Sequence, residues 1–168
     1  MSTSALPPSL RIRSARLARA LAVLLVVLVA LLLTERFGAI GFAMLDEGLG
    51  SRATRRFGLQ LAAAVPEGCY LMALWWVRAA LVEFARGAFH TPIIAKALQR
   101  VGAMLGVGAA IALFVEPSLQ RMLGSDPGYV IAYDIGSAVL CALGLSLSML
   151  AHVLERAAAV QAELDEIF

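Results

Sequence analysis

Cysteine is scarce in this chain. Cys69 and Cys141 both sit inside apolar runs and read as small core residues, which excludes a disulfide scaffold. Histidine is equally rare. His90 and His152 have only Glu83 and Glu155 as nearby acids, too few ligands for a metal site. No H-x-x-x-H, G-x-S-x-G, Walker loop or C-x-x-C occurs, so the chain reads as a non-enzyme that carries no cofactor or metal. Charge is thin as well. Charged residues make up 15%, against about 25% in soluble domains. Fourteen basic residues against 12 acidic ones leave a net charge of +2, too small an excess to build a basic face for direct nucleic-acid binding.

What is present is apolar. The hydrophobic set reaches 61% of 168 residues before the 14 glycines are added, whereas an average soluble domain reaches about 45–50% with glycine included. A soluble chain of this length must coat its outside with polar groups, so the excess points to a protein solvated by lipid.

Four spans can be placed. Met1 to Leu10, with Pro7-Pro8, opens a tail expected to be disordered through about residue 15. Arg11, Arg13, Arg16 and Arg19 precede an apolar run from Ala20 to Leu33. No small-x-small cleavage site closes that run, so it reads as an uncleaved first span over 17–34 rather than a signal peptide. Phe37 to Gln60 holds five glycines, Asp46-Glu47 and three arginines. It is expected as a surface loop with one amphipathic turn, because such backbone has no partners in hydrocarbon. The second span covers 59–82 and carries Glu67 and Arg78 on one helix face, with Trp75-Trp76 as an interfacial belt. The third covers 97–115 and is expected to stop at Glu116-Pro117. Its Gly102, Gly106 and Ala110 recur every four residues, which makes a flat packing side. The fourth covers 129–151. Asp134, Ser137, Cys141, Gly144, Ser148, His152 and Glu155 follow its helical period and form a small or polar inward stripe, with Gly136 beside it.

Counting Lys and Arg orients the chain. With four spans and the N-terminus inside, Arg11, Arg13, Arg16, Arg19, Arg86, Lys96, Arg100 and Arg156 are cytoplasmic. Arg36, Arg52, Arg55, Arg56 and Arg121 are outside, so both termini belong in the cytoplasm. The expected fold is an all-α membrane bundle over 16–153. A cytoplasmic tail over 154–168 follows, whose Val153, Ala157, Val160, Leu164 and Ile167 form a packing seam. Glu163, Asp165 and Glu166 make its tip acidic, so anionic headgroups repel it and a basic partner suits it.

Ionisable groups inside a span are functional candidates. Asp134 and Glu67 share the outer leaflet in this topology. They either bind a cation or proton, or pair with Arg36 or Arg121; Arg78 completes the candidate polar set. The plainer reading of Asp134 is a hydrogen-bond acceptor near the outer interface. Gly87 can end the second helix, and Thr91-Pro92 can cap and start the third, so a tight helical hairpin explains that turn on local grounds.

Gly87, Thr91, Pro92, Leu98, Arg100 and Gly102, together with the acidic ending Glu163 to Phe168, resemble a bacterial family of small four-span membrane proteins, domain of unknown function 2975. His90 stands where that family usually has Phe. The resemblance implies a bacterial inner-membrane location and no known activity. It also implies a soluble partner, a small helix-turn-helix regulator or another cytoplasmic protein. The expected function is therefore regulation or interaction, with the Gly87–Arg100 hairpin and the acidic tail presented to a cytoplasmic protein. The alternative is a small transporter or channel working through intramembrane carboxylates. The bilayer is the first partner in either case, and small-residue faces leave room for a homo-oligomer.

Overall fold

The computed structural model describes residues 8–38, 51–86, 91–122 and 134–167, and every element among them is helical. Helix α1 runs over Pro8–Leu33 and continues into a π-helical turn, Thr34–Gly38. Residues 8–15, expected in a disordered tail, belong to this helix. Proline in a first turn lacks only an N–H that has no intrahelical partner, and the Leu, Arg and Ala residues that follow favour helix. The Thr34 hydroxyl donates to the carbonyls of Ala30 and Leu31, at 2.9 and 3.0 Å, where α1 gives way to the π turn.

Helix α2, Ser51–Ala85, is 35 residues long. Its first turns take up 51–60, expected to lie in the loop, where Arg, Ala, Leu and Gln favour helix and Gly58 is the one glycine. The remaining loop calls at 39–50 lie outside the described residues. Helix α3 covers Thr91–Ala110. It does not stop at Glu116-Pro117. A π turn, Ile111–Val115, intervenes, with the Glu116 N–H donating to the Ile111 carbonyl five residues back, and α4 resumes over Glu116–Met122. Pro117 is the second residue of α4 and, having no N–H, gives no hydrogen bond back to the π turn that precedes it. Helix α5, Ile135–Ile167, is 33 residues long.

Among the described residues, four helical stretches are long and apolar enough to cross a membrane: Ile12–Arg36, Phe57–Ala85, Ile94–Met122 and Ile135–Gln161. The first three extend beyond the expected spans at both ends. The fourth begins at Ile135 among the described residues, after the non-helical Asp134, and positions 129–133 of the expected span lie outside them.

The helices pack in chain order, α1 on α2, α2 on α3 and α3 on α5. Among the described residues no Cα of α1 comes within 8 Å of one of α5, so the arrangement is a row rather than a closed ring. Each neighbouring pair is antiparallel. Arg36 meets Gln60 and Glu67, Gly108 faces Cys69 while Arg100 faces Trp76, and Gly102 faces Ser148.

The core is built from small side chains. Ala18, Ala63, Ala73, Ala95, Ala109 and Ala151 are buried, whereas Val23, Val26 and Met149 are 65%, 66% and 76% exposed. That inversion suits a chain whose exterior is solvated by lipid. Helices in hydrocarbon gain little from hiding large apolar groups and gain packing from close backbone approach.

Candidate functional site

A polar cavity of about 320 Å³ opens where α1 and α3 finish and α5 begins. Arg36 reaches it from the π turn after α1, Glu67 and Tyr70 from α2, Glu116 and Gln120 from α4, and Asp134 and Ser137 from the start of α5. The Arg36 guanidinium donates through Nη2 to Glu67 Oε1 at 2.5 Å and through Nη1 to Gln60 Oε1 at 3.0 Å. Gln60 and Glu67 are seven residues apart, two helical turns, so one face of α2 offers both acceptors. Glu116 Oε1 accepts from Gln120 Nε2 at 3.3 Å. Tyr70 and Ser137 border the cavity together, and among the described residues the buried Tyr70 hydroxyl oxygen has no hydrogen-bond partner.

Asp134 lines this cavity and is also the N-cap of α5. Its Oδ1 accepts from the Gly136 N–H at 3.0 Å. Its Oδ2 accepts from the Ser137 N–H at 3.1 Å and the Ser137 hydroxyl at 2.6 Å. These bonds serve N–H groups that the first turn of a helix otherwise leaves without partners. They hold the Asp134 carboxyl below the usual carboxylate range, the Ser137 hydroxyl being the largest cause and the two backbone N–H groups following. The position expected inside a span is therefore its cap, because an Asp followed three residues later by Ser satisfies a helix start better than a helix interior. Glu67 and Asp134 share the cavity, yet each already has its own partner.

Arg78 is not part of it. It lies toward the opposite end of α2, with its guanidinium carbon 5.2 Å from the Trp75 ring centroid and its Nε buried without a hydrogen bond. Arg100 sits 4.2 Å above the Trp76 ring, so two cation–aromatic contacts mark this end of the row. Leu98 is half-buried on α3 and His152 is exposed on α5. His152, Ser148 and Gln99 border an open groove of about 580 Å³. Gly87 and His90 lie outside the described residues, and α3 opens at Thr91-Pro92. Glu163 is exposed near the end of α5, and the backbone of Asp165 and Glu166 continues that helix.

Of the small residues singled out for packing, four converge. A Cβ on Gly102 would lie 2.6 Å from the Gly144 carbonyl oxygen and 2.7 Å from Ser148 Oγ, and a Cβ on Gly106 would lie 4.0 Å from the Gly144 carbonyl carbon. Gly136 is apart from them, and the three atoms nearest to its added Cβ all belong to the Asp134 carboxyl group. Ala110 is half-buried beside the fully buried Ala109. Sequence reading overlooked Gly108, whose absent Cβ would meet Cys69 Cβ at 2.8 Å and a Tyr70 ring carbon at 2.9 Å. The signal was there. Two residues beyond Gly106 is about 200° around a helix, so Gly102-Gly106 faces α5 while Gly108 faces α2. Glu116, Gln120 and Tyr70 were missed because the other walls of the cavity they line belong to other helices.

The described residues are all-helical apart from the turn at Arg86 and the cap at Asp134, with four helices long and apolar enough to cross a membrane and a charged pocket at one end of them. No protein-family model matches the chain, and neither a curated protein nor a solved structure matches it.

Proposed function

We propose that this is a bacterial inner-membrane protein of the regulatory or interaction class, with both termini cytoplasmic. The α2–α3 turn and the acidic end of α5 are presented to a soluble partner. The reach of α5 carries the reading. Ile135 to Leu154 is a stretch without Asp, Glu, Lys or Arg and rises about 30 Å, the thickness of the hydrocarbon. The same helix continues to Ile167, so Glu155 onward projects about 20 Å past that thickness. Along it Val153, Val160 and Leu164 are 63%, 55% and 50% exposed and share one side, with Glu163 exposed beside them. An amphipathic helix with an acidic tip suits a groove with a basic rim on a soluble protein. The antiparallel crossing of α3 and α5 sets the start of α3, with Leu98 and Arg100, at the same end of the row. The partner class, a small helix-turn-helix regulator, rests on the residue-level resemblance of Gly87–Gly102 and the acidic ending.

The transport reading draws less support, since Glu67 is bonded to Arg36 and Asp134 caps α5. The test is co-purification from native membranes. The full chain is expected to retain a soluble protein, and a chain lacking 157–168 is expected to lose it. Equal capture by both forms refutes the proposal.

A further inference from the structure

The two cation–aromatic contacts lie at one level of α2, away from the charged cavity. Trp75 and Trp76 are consecutive, about 100° apart around the helix, and Arg78 follows Trp75 by three residues, about 60° to its other side. The Arg78 guanidinium carbon is 5.2 Å from the Trp75 ring centroid, and Arg100 reaches over from α3 to 4.2 Å above the Trp76 ring. The order around α2 is therefore Arg78, Trp75, Trp76 and Arg100, two rings between two guanidinium groups. A guanidinium over a ring spends its face on that contact and keeps its N–H donors, which lie in its plane. Among the described residues the ion pairs are Arg36–Glu67 and Arg86–Glu83, so no carboxylate there pairs with Arg78 or Arg100. Arg78 Nε is buried without a hydrogen bond.

The same side of α2 carries an exposed apolar strip. Leu61, Val65, Met72 and Trp75 are exposed, and their spacings of four, seven and three residues keep them on one side. Met72 to Leu61 is about 17 Å of helical rise, close to the depth of one leaflet in a core about 30 Å thick. Positive hydrogen-bond donors thus stand toward the end of α2, and a bed of apolar side chains runs inward from them. That is the polarity of a phospholipid whose phosphate lies at the tryptophan rings. Charge decides which phospholipid. A choline head carries its own cation, which two guanidinium groups repel, whereas a glycerol head leaves the phosphate charge uncompensated. Basic pockets between membrane helices suit anionic headgroups for this reason. Soluble phosphate fits the donors and leaves the apolar strip unused.

We infer that Arg78, Trp75, Trp76 and Arg100 form a site for the headgroup of an anionic phospholipid, whose acyl chains lie along Met72, Val65 and Leu61. This goes beyond the partner-binding reading and is measured without a soluble partner, so either proposal can fail without the other. Trp75 and Trp76 are the two tryptophans of the chain, so their fluorescence reports on the lipid that touches the site. The experiment reconstitutes the full chain in vesicles of phosphatidylcholine and phosphatidylglycerol, with bromine, a contact quencher, on the acyl chains of one lipid or the other. Quenching across mole fractions gives the relative affinity of the site for the two lipids. Phosphatidylglycerol is expected to be favoured by at least about fivefold, the surface contribution of a single arginine. Arg78→Gln and Arg100→Gln are each expected to lower that preference and together to erase it. Arg13→Gln removes one exposed charge at the same end of the row, from the start of α1, and is expected to leave it unchanged. Equal quenching by the two lipids in the parent overturns the inference. So does a preference that survives in either single variant unaltered when its circular dichroism matches the parent. A loss in Arg13→Gln as large as in Arg100→Gln also overturns it, since diffuse surface charge then accounts for the enrichment.

Discussion

Adding one methyl group at Gly144 tests how α3 and α5 are held together. The Cβ of an alanine there would lie 2.5 Å from Gly106 N, 2.7 Å from the Gly102 carbonyl oxygen and 2.8 Å from Gly106 Cα. All three atoms are backbone, so no side chain can swing aside, and relief requires the helices to separate by about 1 Å. A gap of that size forfeits a quarter to a half of each dispersion contact along the crossing. In lipid, no hydrophobic driving force replaces them. Overpacking of this kind costs about 1–3 kcal/mol, and Gly144→Ala is expected to fall in that range. Gly68 is the internal control. It lies within α2 with nothing within 4 Å of its added Cβ, so Gly68→Ala is expected to be neutral or stabilising by up to about 1 kcal/mol, the helix preference of alanine over glycine. The assay is reversible unfolding in mixed micelles followed by circular dichroism. Equal stability of Gly144→Ala and the parent, or equal loss in both variants, refutes the close crossing.

Two further outcomes follow from the cavity. Because its folded-state pKa lies below the ordinary value of 3.8, Asp134 contributes stability that is complete above that value. The contribution is lost as pH falls through the lower folded value; Ser137→Ala removes the largest cause and should move that loss to higher pH in Tm measured between pH 6 and 2.5. For Arg36 and Glu67, side chains 31% and 37% exposed, a double-mutant cycle with Arg36→Gln and Glu67→Gln is expected to show a favourable coupling of about 0.2–1 kcal/mol. Additive losses refute the pair.

Much of the helical order was legible because composition and period are local properties. The apolar run at Ala20–Leu33 and the glycine spacing at 102 and 106 each announce themselves within one segment. Boundaries were harder. Ser51–Gln60 looked like loop beside a glycine-rich stretch, yet its own residues favour helix. Glu116-Pro117 looked like a stop, but a π turn absorbs the mismatch and the helix resumes. Asp134 looked like an intramembrane charge, since the apolar residues on both sides of it hide where the first helical N–H groups need an acceptor.

Apolar content above soluble levels, scarce charge and four long hydrophobic stretches followed from the residue list alone, because transfer of side chains between water and lipid depends on residue identity before any contact forms. Tertiary structure decided the rest. It paired Glu67 with Arg36, turned Gly108 toward α2 while Gly102 and Gly106 turned toward α5, and set Arg100 of α3 over the Trp76 ring of α2. Those results depend on which helices lie side by side and on their rotation about their axes. Residues far apart in the chain meet only once backbone approach and helix order have been chosen.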